Sequence, residues 1–235
     1  MSEPVLELQK LQTWYNEGNH VLSGFSLQLW PQEVVGLIGL NGAGKTTFLK
    51  TLSGLHEKFR CDGIRLHGQP AAFRDKGFKL CRYTVFAEDN SFRYFTFREY
   101  LSYVVAAYKK ELPDVAGLVE GFHFESYVNT LLKDLSTGNR KKVFLMTAFA
   151  LRPELLLLDE PVNGLDFQST EYLYQLIGGY KEHGTVLFSS HILESITLTS
   201  DRVLVLEKGQ LRRSFEGEEI NATNIREALQ DEKEP

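Results

Sequence analysis

Nine consecutive residues constrain this chain more than any others: Gly39-Leu40-Asn41-Gly42-Ala43-Gly44-Lys45-Thr46-Thr47. They fit G-x-x-x-x-G-K-[ST], a glycine loop whose backbone N–H groups cradle phosphate oxygens. A pattern this short can arise by chance, so its flanks decide. Before it, Val34-Val35-Gly36-Leu37-Ile38 is apolar and β-branched, which reads as a buried strand. After it, Phe48-Leu49-Lys50-Thr51-Leu52 sets apolar residues at helical spacing, with Gly54 as the stop. Strand, glycine loop and helix in that order turn the pattern into a site. The helix N-terminus adds partial positive charge to the N–H groups of the loop. Lys45 is placed to reach β- and γ-phosphates, and the Thr46 hydroxyl to bind Mg²⁺.

Such a site needs an α/β core, and 235 residues can bury one together with a subdomain. No apolar run approaches the ~20 residues of a membrane helix. The opening Met1-Ser2-Glu3-Pro4 has neither a basic n-region nor an apolar h-region, so no secretory signal is expected. Cys61 and Cys81 form no metal-ligand pattern and are expected as free thiols. A net charge of -5 gives no electrostatic reason to expect a nucleic-acid partner. The small basic clusters Arg140-Lys141-Lys142 and Arg212-Arg213 read as solvated faces.

The N-terminal part reads as β. Val5-Leu6-Glu7-Leu8 and Phe25-Ser26-Leu27-Gln28-Leu29 alternate apolar and polar, with a turn at Asn16-Glu17-Gly18-Asn19. Trp14-Tyr15 ends the first segment, and a ring there could stack on an adenine base or simply pack. Cys61-Asp62-Gly63 is a turn, Ile64-Arg65-Leu66 a short strand, and Tyr83-Thr84-Val85-Phe86 a strand returning to the sheet. Then the texture turns helical. Thr96-Phe97-Arg98-Glu99 is a capping box, and Phe97, Leu101, Val104, Val105 and Tyr108 form an apolar stripe at 3.6-residue spacing. Pro113-Asp114 is expected to open a second helix, and residues 127–135 carry a third helical pattern. Roughly Glu88 to Leu151 is thus a helical insertion. Its aromatics Phe92, Tyr94, Phe95, Tyr100 and Tyr103 admit two readings, subdomain core or an exposed patch for a partner.

Leu155-Leu156-Leu157-Leu158-Asp159-Glu160 is a continuous apolar strand ending in two acids, as in the centre of a parallel sheet. Ligands of such sheets sit beyond the carboxyl ends of the strands. Asp159 and Glu160 therefore arrive at the edge that carries the glycine loop. An Asp there can support Mg²⁺, and the adjacent Glu can orient or deprotonate an attacking water. Thr185-Val186-Leu187-Phe188-Ser189 is a further strand, and it delivers His191 to the same edge. A lone histidine is more often structural; the loop upstream makes this one a candidate. Val203-Leu204-Val205-Leu206 and the Lys208-Gly209 turn close the sheet, and the charged tail 231–235 is expected to fray.

Over nearly its whole length the chain resembles the nucleotide-binding subunit of ATP-binding cassette (ABC) transporters. Leu135-Ser136-Thr137-Gly138-Asn139-Arg140-Lys141-Lys142 looks like the family's signature motif, usually Leu-Ser-Gly-Gly-Gln, and precedes the strand with the two acids by one helix. Val162-Asn163-Gly164-Leu165-Asp166 is similar to the D-loop, and Ser189-Ser190-His191 to the switch histidine. The resemblance implies one ABC ATPase domain over 1–235. Its P-loop core has a mostly parallel central sheet and an N-terminal antiparallel β-subdomain (about 1–87 and 152–235). A helical signature subdomain (about 88–151) is inserted into it. It implies ATP and Mg²⁺ as ligands, with Tyr15 stacked on adenine and Gly39 and Asn41 to Thr47 around the phosphates. Thr46 and Asp159 would support Mg²⁺, Glu160 would be the catalytic base, and His191 would contact the γ-phosphate. Ser136 and Gly138 would act in trans on ATP held by a second cassette, with Asp166 at the dimer seam.

The implied function is an ATPase that powers separate transmembrane permease subunits from the cytoplasmic face of the cell membrane. The Gly-Leu-Asp D-loop and the basic run after the signature lean to the exporter type. A non-transport ABC-type ATPase, or an ATP-dependent regulatory switch, is the alternative. Three departures from the family stand out. Ala87 falls where a Gln normally meets Mg²⁺ and water, so either the adjacent Glu88 substitutes after a one-residue slip or the contact is absent. Thr137 and Asn139 replace signature residues. Gln32 stands where a Gly usually precedes the acid at position 33, with no expected cost.

Overall fold

The computed structural model describes residues 3–230. The tail 231–235, expected to fray, and the first two residues of the leader reading lie outside that range. Two sheets organise the chain. The first begins with β1 (Leu6–Asn16) and β2 (Asn19–Leu29), joined antiparallel through the turn foreseen after Asn16. β4 (Phe59–Arg60), β5 (Gly63–Leu66) and β6 (Gln69–Pro70) complete it on the β1 side, also antiparallel.

The second sheet takes β3 (Val34–Ile38), β7 (Arg82–Val85), β8 (Leu155–Asp159), β9 (Thr185–Ser190), β10 (Arg202–Glu207) and β11 (Gln210–Glu216). Their order is β11-β10-β3-β9-β8-β7, parallel throughout except for the edge strand β11. Every residue of β3, β8 and β9 is buried, because both faces of this sheet are covered. Leu156, Leu158, Val186, Phe188, Val203 and Val205 point into one core, and Leu155, Leu157, Leu187, Leu204 and Leu206 into the other. This two-sided burial is why the run of leucines shows no alternation.

The face bearing Leu155 packs on the first sheet and on α1 (Lys45–Leu52), whose Phe48, Leu49 and Leu52 are buried. The opposite face packs on α3 (Phe97–Ala107), α5 (Thr137–Leu151), α6 (Phe167–Gly179), α7 (Leu193–Thr199) and α8 (Ala222–Gln230). Two short helices, α2 (Lys76–Cys81) and α4 (Ala116–Gly121), fill the connections. No helix among the described residues is long and apolar enough to cross a membrane.

Several expectations need correction. Residues 127–135 do not form an α-helix: they hold parts of two 3₁₀ turns, Glu125–Tyr127 and Leu132–Asp134. The N–H groups of Leu132 and Lys133 donate instead to the carbonyls of Phe95 and Arg93, at 2.8 and 2.9 Å, which ends helical propagation. Gln32 is not free of cost, since its φ of +60° lies in the left-handed region, where a non-glycine residue pays roughly 1 kcal/mol. The basic run is not a solvated face either: Lys141 and Lys142 are buried. The aromatic cluster divides between its two readings. Tyr100 is core, Phe92 and Phe95 are partly buried against it, and Tyr94 and Tyr103 are exposed.

The capping box forms as read. The Thr96 hydroxyl accepts from the Glu99 N–H, and Glu99 accepts from the Thr96 N–H at 2.7 Å. Thr96→Ala should cost about 1 kcal/mol, measured as a lower urea midpoint with an unchanged slope.

Candidate functional site

The parallel ladder sets the site. Asp159 is level with Ser189, and Ile38 with Ser190, so β3, β8 and β9 end together. The glycine loop follows β3, Glu160 follows β8, and His191 follows β9. A cleft of about 520 Å³ opens there, lined by Tyr15, residues 40–47, Glu160, Asn163 and His191. Gly39 lies just behind the lining and accepts from Lys45 Nζ at 2.6 Å. Gly44, with φ +109°, turns the chain into α1, and no side chain caps that helix start. Its first N–H groups therefore face the cleft as anion donors.

Thr46 Oγ1 donates to Asp159 Oδ1 at 3.2 Å, and Ser189 Oγ donates to the same oxygen at 2.7 Å. A hydroxyl and a buried carboxylate at this spacing are hard oxygen donors, the set that Mg²⁺ takes. The residues fit the ion.

Glu160 is held on every side. Its N–H donates to Ser189 Oγ and to the Ser189 carbonyl at 3.0 and 3.2 Å. Its carboxylate accepts from the His191 N–H at 3.3 Å, lies 2.7 Å from His191 Nδ1, and is 3.7 Å from Lys45 Nζ. Its φ of +47° is in the left-handed region, a strain of order 1–3 kcal/mol for a residue of this type. The compensating contact is Lys141. From α5, its Nζ donates to the Glu160 carbonyl at 3.0 Å and to the Asn163 carbonyl at 2.8 Å. Burial pushes the Lys141 ammonium down, and the carboxylates of Asp159, Glu160 and Glu88 oppose that shift. A carboxylate this firmly aimed can orient a water or take its proton.

Lys142 carries a second tie, donating to the Phe122 carbonyl at 2.9 Å and to Asp166 Oδ2 at 2.7 Å. Asp166 caps α6 through the Ser169 N–H. Burial alone would raise its carboxyl, but the Lys142 ammonium and Ser169 outweigh that and hold it well below the usual range.

The other candidates fall around this centre. Tyr15 is half exposed beside the loop, its hydroxyl 3.3 Å from Thr47 Oγ1 and its ring edge-on to His56. Ser136 caps α5 through the Asn139 N–H. A Cβ on Gly138 would stand 2.3 Å from the Gly164 carbonyl, so only glycine permits that approach. Neither Ser136 nor Gly138 lines the cleft of its own chain. Glu88 and Ala87 line a separate pocket of about 150 Å³ with Arg140, Lys141 and Phe144. Glu88 thus shares a pocket with Lys141, and Thr46 lines the other cleft. Lys141, Asn163 and Ser189 lie inside the motif segments quoted from the sequence, but their roles in holding Glu160 and Asp159 were not read there.

Residues 22–163 match a family model described as ABC transporter. AlbC of Bacillus subtilis (strain 168), named provisionally as an ABC transporter ATP-binding protein, is 39% identical over 219 residues. The match covers 89% of this chain and 90% of that protein. A solved ATP-binding subunit of an ABC transporter shares 28% identity with a TM-score of 0.82, over 97% of each chain. The bacterial ABC transporter cassette MJ0796, solved as a dimer, has a TM-score of 0.79 at 20% identity. That likeness, which is one of fold, covers 90% of this chain and 98% of the other.

Lys141→Met keeps the volume but leaves two buried carbonyls without their donor, at about 1–3 kcal/mol each. We expect ATP affinity to persist while kcat falls by about tenfold, which needs only about 1.4 kcal/mol to reach the transition state. An unchanged kcat would show that the Glu160 loop holds its own shape.

Proposed function

The chain belongs to the ATP-binding proteins of ABC transporters, a family of ATPases, and from that premise we propose how its residues work and with what. The observation that carries the reading is the cleft where Lys45 and Thr46 meet Asp159, Glu160 and His191 from two neighbouring strand ends. In this reading residues about 88–151 form a helical arm and the rest the catalytic core.

ATP binds with its phosphates along residues 41–47. The backbone N–H groups and the Lys45 ammonium take the phosphate oxygens, and Tyr15 offers its ring to the adenine. Thr46 and Asp159 would hold Mg²⁺, which when bound neutralises phosphate charge. Glu160 aims the attacking water and accepts its proton. His191 fixes the Glu160 carboxylate and lies where it can donate to the γ-phosphate. Little covalent chemistry is asked of such a site; catalysis is positioning and charge stabilisation.

Ser136 and Gly138 complete the site of a second copy, with the Asp166 loop at the seam. Their position outside the cleft of their own chain supports this, as does the dimeric structure of the MJ0796 cassette. Closing on ATP and reopening after hydrolysis would drive separate transmembrane permease subunits on the cytoplasmic face of the membrane. The Gly164-Leu165-Asp166 form of the D-loop and the basic run after the signature favour the exporter type.

Glu160→Gln should keep ATP binding, lose at least about a hundredfold in hydrolysis, and accumulate as a dimer in light scattering. Lys45→Ala should lose nucleotide binding. Hydrolysis by Glu160→Gln at the wild-type rate would remove Glu160 from the role of base. Affinity purification of tagged protein from detergent-solubilised membranes should return a polytopic partner near one-to-one. Recovery from the soluble fraction alone would overturn the permease reading and leave the ATP chemistry standing.

A further inference from the structure

We propose that His67, Cys81 and Glu154 form a surface site for a thiophilic divalent cation of the zinc type, separate from the ATP cleft. The three donors come from three places in the chain. His67 is in the turn between β5 and β6, Cys81 ends α2, and Glu154 immediately precedes β8. Sequence spacing gives no warning, because Glu154 is 87 residues from His67 and 73 from Cys81.

Their ligand atoms all lie within 4.8 Å of one another. His67 Nε2 is 3.1 and 3.2 Å from the two Glu154 oxygens, and Cys81 Sγ is 3.5 Å from Oε2. Zinc bonds of about 2.0–2.3 Å at tetrahedral angles place neighbouring ligand atoms about 3.3–3.6 Å apart. Two edges of one face of such a tetrahedron, His67 to Glu154 and Cys81 to Glu154, are therefore near these lengths before any ion enters, and the third lies within 4.8 Å. Imidazole and thiolate select zinc-like ions over Mg²⁺ or Ca²⁺. His67 and Glu154 are exposed and Cys81 is half-buried, so the fourth position faces solvent. On binding, the thiol proton leaves to solvent and an Sγ–metal bond replaces the contact from Sγ to Glu154.

The site is remote from ATP. Glu154 stands at the amino end of β8 and Asp159 at its carboxyl end, roughly 16 Å of strand apart. An ion there would pin the β5–β6 turn of the first sheet to the amino end of β8 in the second, far from the hydrogen bonds by which β2 already meets Arg202 and Gly209.

The test is a titration of the reduced, chelator-stripped full-length protein with Co²⁺, without nucleotide. We expect a thiolate-to-cobalt charge-transfer band with tetrahedral ligand-field bands, saturating at one equivalent. Zn²⁺ should displace the Co²⁺ and raise the thermal midpoint, while excess Mg²⁺ should do neither. Cys81→Ser should abolish the charge-transfer band, and the half-exposed His67→Ala should weaken Zn²⁺ binding by at least about tenfold. Cys61→Ser should leave the band unchanged, and Cys81→Ser should retain Mg²⁺-dependent ATP hydrolysis. Absence of the band in the wild-type protein, or its survival in Cys81→Ser, would overturn the site, leaving the trio an ordinary ion pair beside a thiol. So would Zn²⁺ affinity unmoved by His67→Ala.

Discussion

The lateral register of the parallel sheet is the constraint on which the site depends. Because β3, β8 and β9 pair in step, with Asp159 beside Ser189 and Ile38 beside Ser190, three chain segments distant in sequence turn away from the sheet at one level. A slip of one residue in β8 would send Asp159 to the opposite face and bury Glu160 where Asp159 now stands. The two-sided apolar burial of these strands resists such a slip, since Leu155 to Leu158 fill two different cores. Precision at the phosphate end is thus a product of hydrophobic packing several residues away.

Around that frame the protein spends cations internally. Lys45, Lys141 and Lys142 are all buried, and each ammonium is matched to carbonyls or a carboxylate. Burying an ammonium is costly unless its hydrogen bonds are met. A lysine kept at such positions fixes distances, as Lys141 and Lys142 do between α5 and the loop that follows β8. The left-handed backbone of Glu160 is held in this way, by Ser189 on its N–H and Lys141 on its carbonyl.

What was legible in the sequence follows from how local each signal is. The glycine loop, the leucine strand with its two acids, and the capping box at Thr96 are contiguous, and each forms as read. The helical pattern over 127–135 failed because its backbone donors are claimed by residues 93 and 95, a tertiary contact that periodicity cannot show. The basic run failed similarly: Arg140-Lys141-Lys142 looks solvated until α5 is packed against the loops after β8. The helices α2, α6, α7 and α8 went unread, although Asp166 before Phe167 is an ordinary N-cap signal for α6. His67, Cys81 and Glu154 meet only through the topology of two sheets.

Gly138 rests against the Gly164 carbonyl with no room for one added carbon. Beside that contact Lys141 grips Asn163 and Lys142 grips Asp166. Three successive fastenings therefore join the start of α5 to a single loop, over five residues of helix. The pair behaves as a toothed rack in which neither part slides alone. Because Lys141 also donates to the Glu160 carbonyl, a tilt of α5 would have to stretch that bond or carry with it the residue that holds the left-handed backbone. The helix is in this sense a lever whose short arm ends at a strained peptide, and its gearing is set by a missing methyl group.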